Sequence, residues 1–91
     1  MGMYPYKIFV SFIEFSSMIS TRDEKILKRL GKHLEKIRHS KDLSLRKLAD
    51  IADVDYSQIH KIEKGKANPT FTMLLAIANG LEISIEELVG F

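Results

Sequence analysis

The fold of this chain is decided by Leu45-Arg-Lys-Leu-Ala49-Asp-Ile-Ala-Asp53-Val54-Asp55-Tyr56-Ser-Gln-Ile59-His-Lys61, which continues through Ile62-Glu-Lys-Gly65. The apolar residues of this stretch recur at the spacing of two short helices joined by a tight turn, at Leu48, Ala49, Ala52, Val54, Ile59 and Ile62. Ala49 is small enough for the two helices to cross closely, and Asp53 is of a residue type that tolerates positive φ in the turn. The second helix, at 56–64, therefore turns a polar face away from the core, with Tyr56, Ser57, His60 and Lys61 on it.

Capping residues on either side of this stretch divide the rest of the chain into helices. The capping-box spacing of Thr21 to Glu24 predicts a first helix over about 22–40. Ser44 and Asp55 cap the two helices at 45–52 and 56–64, and Gly65 ends the second of them. Thr70 caps a helix at 71–80 whose inward residues we expect to be Phe71, Leu74, Leu75, Ala78 and Leu81. Ser84 opens a short fifth helix that holds Ile85, Leu88 and Val89, so residues 21–91 are predicted to form a compact all-α domain.

Charge is distributed unevenly along the chain, although the net charge is only +2. Residues 22–47 carry ten Lys or Arg against four Asp or Glu, whereas residues 67–91 carry three acidic residues and no basic one. This asymmetry suits a polyanionic partner, but an ordinary charged amphipathic helix gives similar counts. With no cysteine, disulfides and thiolate metal sites are excluded, which fits a reducing cytoplasm. The three histidines lie on different faces, and no Ser/His/Asp order or glycine-rich phosphate loop occurs, so we expect no metal, no cofactor and no enzyme activity.

Residues 1–20 differ in composition from the rest of the chain. The stretch from Tyr4 to Phe15 is rich in aromatic and β-branched residues, which is typical of a β-strand. It is too short to span a bilayer and lacks the features of a secretion signal. Two interpretations stay open: the strand pairs with its copy in a symmetric dimer, or the segment is an expression artefact or an upstream start, with Met18 as the functional start.

From about Leu30 to Leu88 the chain resembles the lambda-repressor-like (Cro or XRE) helix–turn–helix family. The matching residues, in order and without gaps, are Leu34, Ile37-Arg38, Leu43-Ser44, Leu48-Ala49, Val54-Asp55, Ile59, Ile62-Glu63-Lys64-Gly65, Asn68-Pro69-Thr70, Leu74, Ile77-Ala78, Leu81, Ile83-Ser84 and Leu88. The resemblance implies a double-stranded DNA-binding transcriptional regulator whose helix at 56–64 enters the major groove. It further implies binding to a palindromic operator as a homodimer.

The resemblance also implies roles for individual residues. Base-reading positions are matched by Tyr56, Ser57, His60 and Lys61, and phosphate-contacting positions by Arg46, Gln58, Lys64, Lys66, Asn68 and Thr70. Arg38 and Glu63 match an ion pair between the first and third helices, which we interpret as structural. One position departs from the family pattern: Leu45 stands where family members commonly have a glutamine that bonds phosphate and braces the recognition helix.

The sequence also leaves a second function class open. Small proteins of this family also act as antitoxins, so the chain is alternatively a protein-binding module with a toxin as its partner. The apolar segment at residues 1–20 discriminates between the two, since a strand that stays unpaired at an edge would serve as a docking strand.

Overall fold

The computed structural model describes residues 23–91, and these residues are helical with short connections and no strand. In chain order the helices are α1 (23–40), α2 (Leu45–Ala52), α3 (Tyr56–Glu63), α4 (Phe71–Leu81) and α5 (Ile85–Val89). The predicted all-α, five-helix fold is therefore confirmed for this part of the chain. The strand and dimerisation segment predicted at 1–20 and the predicted cap at Thr21 lie outside the described residues.

Each of the four helices after α1 begins at a side chain that accepts a hydrogen bond from a backbone N–H of the first turn. The Ser44, Thr70 and Ser84 hydroxyl oxygens accept from the N–H groups of Lys47, Met73 and Glu87 at 3.0, 3.2 and 3.0 Å. Asp55 does the same for α3 with its carboxylate. Since the first N–H groups of a helix have no partner within the helix, these four side chains fix where each helix starts.

Three helices, α1, α2 and α4, are followed within two residues by an acidic residue with positive φ and then by an apolar residue. Asp42, Asp53 and Glu82 have φ values of 57°, 56° and 59°. The next residue in each case, Leu43, Val54 or Ile83, packs against the core. Its N–H also donates back to the helix, as in Val54 N–H to the Ala49 carbonyl at 3.1 Å. The tight turn between α2 and α3 is thus closed by Asp53 and anchored by Val54.

The core lies between α1, α2, α3 and α4 and is closed by α5. Its fully buried side chains are Leu34, Leu48, Ile59, Ile62, Ile77, Leu81 and Leu88. Helices α2 and α4 cross closely because the residues at the crossing, Ala52 of α2 and Gly80 of α4, are small. A Cβ added to Gly80 would lie only 3.0 Å from the Ala52 Cβ. Leu45, at the start of α2, packs against this core.

One residue expected in the core is not there. Phe71 was predicted to face inward, but its side chain is 63% exposed. It is the first residue of α4, directly after the Thr70 cap, and the buried stripe of that helix runs through Ile77, Ala78 and Leu81. The spacing of the helix puts Phe71 near the face of Leu74 and Ala78, but the apolar residues of the first turn that pack against the core are Met73 and Leu74. Val89, at the other end of the domain, is also 44% exposed.

Candidate nucleic-acid interface

Helix α3 has one buried and one exposed face. Ile59, Ile62 and Glu63 are buried, with Ile59 fully so. The remaining residues of the helix are exposed: Tyr56, Ser57, Gln58, His60 and Lys61. The four residues predicted to read bases are therefore all on the accessible face, together with Gln58.

The C-terminal end of α3 is held against α1 by a buried ion pair. Arg38 Nε and Nη2 donate to the two carboxylate oxygens of Glu63 at 2.7 and 3.0 Å, and Arg38 Nη1 donates to the Leu43 carbonyl at 2.7 Å. The hydrogen bond with Glu63 raises the pKa of Arg38 above its ordinary value, so the guanidinium stays charged. Because Nε, Nη1 and Nη2 of Arg38 each donate a hydrogen bond, this side chain connects α1, the α1–α2 turn and the end of α3.

Close backbone contact supports the same end of α3. A Cβ added to Gly31 of α1 would lie 2.5 Å from the Glu63 carbonyl oxygen, which is closer than nonbonded atoms approach. Gly65, just after α3, has φ of 72°, and a Cβ there would lie 2.7 Å from Lys28 of α1. Both glycines are therefore needed for α1 to lie directly against the end of α3.

The N-terminal end of α3 is organised by Asp55 and Ser57. The Asp55 carboxylate accepts from the Ser57 N–H at 3.1 Å and also from the Ser57 hydroxyl. The hydrogen bond from the hydroxyl is the main reason why the pKa of Asp55 lies below its ordinary value. Because Ser57 gives its hydroxyl hydrogen to Asp55, its oxygen is left to act as an acceptor.

A contact that the sequence did not predict joins α2 to the start of α3. The Arg46 guanidinium carbon lies 4.9 Å from the centroid of the Tyr56 ring. The Tyr56 and His60 rings are parallel, with an interplanar angle of 1° and centroids 6.3 Å apart. Arg46, expected only to contact phosphate, therefore also packs on a residue expected to read bases.

The groove between α2 and α3 carries negative charge beside Arg46. It is lined by Asp50, Asp53 and Asp55 as well as by Arg46 and Tyr56. Its lining therefore holds three acidic side chains and one basic side chain. The exposed lysines, by contrast, lie near the C-terminal end of α3 and just after it, at Lys61, Lys64 and Lys66.

The connection from α3 to α4 holds most of the predicted phosphate-binding residues. Lys64, Lys66 and Asn68 are exposed there, and the Lys66 N–H donates to the Lys61 carbonyl at 2.9 Å, which folds the segment back on α3. Thr70 follows as the cap of α4, so its oxygen already accepts from Met73. Four of the six predicted phosphate-binding residues, Lys64, Lys66, Asn68 and Thr70, thus lie in or at the end of this connection, and Arg46 and Gln58 lie on α2 and α3.

Metal-binding clusters and membrane-spanning helices are both absent from residues 23–91. No three or more His, Cys, Asp and Glu side chains come together there in a way that would hold a metal ion. Among the same residues we find no helix with the length and apolar character that crossing a bilayer requires.

This chain matches a known protein family and is similar to several solved structures. The family model HTH_3, helix-turn-helix, matches residues 34–88. The restriction-modification controller protein C.AhdI from Aeromonas hydrophila is 32% identical, with a TM-score of 0.67 over 68% of this chain and 94% of that chain. An HTH_3 family transcriptional regulator from Vibrio cholerae is 31% identical, with a TM-score of 0.71 over 75% of this chain and 38% of that chain, so this chain corresponds to less than half of it.

A third structure includes DNA. The controller protein C.Esp1396I, solved as a tetramer in complex with its natural 35 base-pair operator, is 29% identical, with a TM-score of 0.62 over 70% of this chain and 95% of that chain. No match was found among curated protein sequences.

Proposed function

The chain belongs to the HTH_3 family of helix-turn-helix DNA-binding transcriptional regulators, and from this premise we propose that it binds a palindromic operator as a homodimer. The observation that carries the proposal is the exposed face of α3, whose opposite face is fixed by the core and by the Arg38–Glu63 pair. Because its inner face is packed against the rest of the domain and its outer face is polar, α3 can enter the major groove without a change in its position in the domain.

Base reading is assigned to the exposed residues of α3. Lys61 suits guanine, because its ammonium group donates to O6 and N7. Ser57, left as an acceptor by Asp55, suits the amino hydrogens of adenine or cytosine. Tyr56 and His60 offer ring surface and ring nitrogens beside these two residues.

Phosphate binding is assigned to the segment that follows α3. Lys64 and Lys66 supply positive charge, while Asn68 and the Thr70 end of α4 supply neutral donors. Gln58 lies on the exposed face of α3 and is assigned to phosphate as well. These contacts set the position of α3 in the groove and carry no sequence information themselves.

Dimerisation is proposed because a palindrome requires two copies related by twofold symmetry. The two α3 helices would then lie about 34 Å apart, one turn of DNA. The controller protein that is bound to its 35 base-pair operator is a tetramer, which supports assembly of several copies on one DNA. The assignment of residues 1–20 to dimerisation remains a prediction, and deleting residues 1–17 should shift sedimentation toward monomer.

Selection of bound duplexes from a random DNA pool tests the proposal. We expect an inverted repeat with half-site centres about 10 base pairs apart, or a multiple of that. A matched selection with the Lys61→Ala variant should lose enrichment at one position of each half-site. A folded wild-type protein that enriches no sequence would contradict the proposal and favour the protein-binding alternative.

A further inference from the structure

We propose that Tyr56, held in place by Arg46, reads the C5-methyl group of a pyrimidine in the major groove. This inference rests on the proposed function, because it names what one residue of that interface recognises. The methyl group can belong to thymine or to 5-methylcytosine, which present it at the same place in the groove. Affinity for the operator would then depend on that methyl group.

Two neighbouring side chains, those of Arg46 and His60, lie close to the Tyr56 ring. The Arg46 guanidinium lies over the ring at 4.9 Å, which is within the range of a cation–π contact. His60, one helical turn later, holds its own ring parallel to that of Tyr56. An exposed tyrosine otherwise samples several rotamers, so these contacts reduce the entropy lost when the ring meets DNA.

The charges around Arg46 favour this positioning role over phosphate binding. Asp50, Asp53 and Asp55 line the same groove as the guanidinium. Phosphate would meet three carboxylates there, whereas a neutral base edge meets no such repulsion. Arg46 is therefore assigned as a positioning residue for Tyr56.

The ligand follows from the surface that Tyr56 presents. The side chain is 40% exposed at the first position of α3, the end of the helix that enters the groove. A pyrimidine C5-methyl is the apolar group of the major-groove edges, and it packs on apolar side chains. Covering one methyl group with an aromatic ring corresponds to about a threefold to tenfold gain in affinity.

Base-analogue substitution in the selected operator tests the inference. Replacing each thymine in turn by deoxyuridine removes only the methyl group, and replacing each cytosine by 5-methylcytosine adds only that group. We expect the wild-type protein to lose about threefold to tenfold at one thymine of each half-site, or to gain as much at one cytosine. Which of the two arms responds identifies the base.

Variants separate the roles of the residues. Tyr56→Phe keeps the ring and should keep the methyl effect, while Tyr56→Ala should abolish it. In Arg46→Ala, the affinities for the operator with and without the methyl group should become nearly equal, and the salt dependence of binding should not change. Arg46→Lys lacks the planar guanidinium group, so it should not restore the difference in affinity. Circular dichroism of each variant checks that it is folded.

The outcomes distinguish this inference from the proposed function. A wild-type protein that binds an enriched operator but responds to no methyl group would overturn the inference and leave the proposed function standing. An Arg46→Ala protein that keeps the methyl effect but shows a shallower salt slope would make Arg46 a phosphate ligand and overturn its positioning role. Absence of any enriched sequence would overturn both.

Discussion

Arg38 and Glu63 join the end of α1 to the end of α3 through two parallel hydrogen bonds of 2.7 and 3.0 Å. Both side chains are buried, and no buried side-chain nitrogen or oxygen among the described residues lacks a partner. A buried charge that loses its partner is strongly destabilising, whereas an apolar replacement of both is often tolerated. The pair therefore fixes the position of α3 and need not add much net stability.

Removing one member of this pair should destabilise the fold more than removing both. We expect Arg38→Ala or Glu63→Ala to cost about 3–5 kcal/mol in urea unfolding, and the double variant Arg38→Met with Glu63→Leu to cost less than either. Glu35→Ala is the matched control, because Glu35 faces His39 in an exposed pair at 3.9 Å and should change stability by less than about 0.5 kcal/mol. If the double variant lost as much free energy of unfolding as the two single variants together, this account would be contradicted.

Relieving the positive φ at the end of α4 should stabilise the protein. Glu82 has φ of 59°, a conformation that glycine adopts without the steric penalty of a Cβ. We expect Glu82→Gly to raise the free energy of unfolding by about 0.5–1 kcal/mol. Glu82→Ala removes the same charge but keeps the Cβ, so it should not stabilise. Equal effects of the two substitutions would show that the charge matters and not the backbone.

Stability should depend on pH through the cap of α3. The pKa of Asp55 is lowered chiefly by the Ser57 hydroxyl, so the unfolded state binds more protons than the folded state as the carboxylate titrates. This contribution is fully present above the unfolded pKa of about 3.9 and is lost as the pH falls through the lower, folded value. Asp55→Asn should remove that part of the pH dependence, as followed by thermal unfolding below pH 6.

Ser57→Ala provides the second arm of the pH measurement. Without the hydroxyl, the pKa of Asp55 should move back toward its ordinary value, so the acid-dependent loss of stability should be smaller and should be complete at a higher pH than in the wild type. An unchanged titration curve for this variant would mean that the hydroxyl does not set the pKa.

Phosphate binding should be visible in the salt dependence of the affinity for DNA. We expect Lys64→Ala or Lys66→Ala to weaken binding to operator and random DNA alike, and to lower the slope of log K against log salt by about 0.9 for each phosphate that is no longer neutralised. Lys25→Ala makes the same charge change on α1 and should leave the slope near the wild-type value. If the Lys64 and Lys66 variants also show the wild-type salt slope, these two lysines lie outside the interface.

The helices themselves were largely predictable from the sequence. The N-caps at Ser44, Asp55, Thr70 and Ser84 mark helix starts directly, because each needs only its own side chain and a nearby N–H. The predicted bounds of α2 are those observed, while α3 ends at Glu63 with Lys64 as its cap and α4 runs to Leu81. Local chemistry determines these boundaries, so they can be read from local sequence.

Features that depend on neighbouring elements were harder to predict. Phe71 has the spacing of a core residue, but only the tertiary arrangement shows that this first residue of α4 is exposed. The Arg46–Tyr56 contact joins two exposed positions on different helices, and neither has a periodic signal that would indicate it. Cross-helix contacts of this kind depend on the crossing geometry, which hydrophobic spacing alone does not specify.

The central claim, that the outer face of α3 reads DNA sequence, is tested most directly by binding titrations of the wild type and Lys61→Ala. Fluorescence anisotropy would measure affinity for the selected operator and for a scrambled duplex at one salt concentration. We predict that Lys61→Ala loses about 1–3 kcal/mol of binding free energy on the operator and clearly less on the scrambled duplex. An equal loss on both duplexes would contradict base reading by α3.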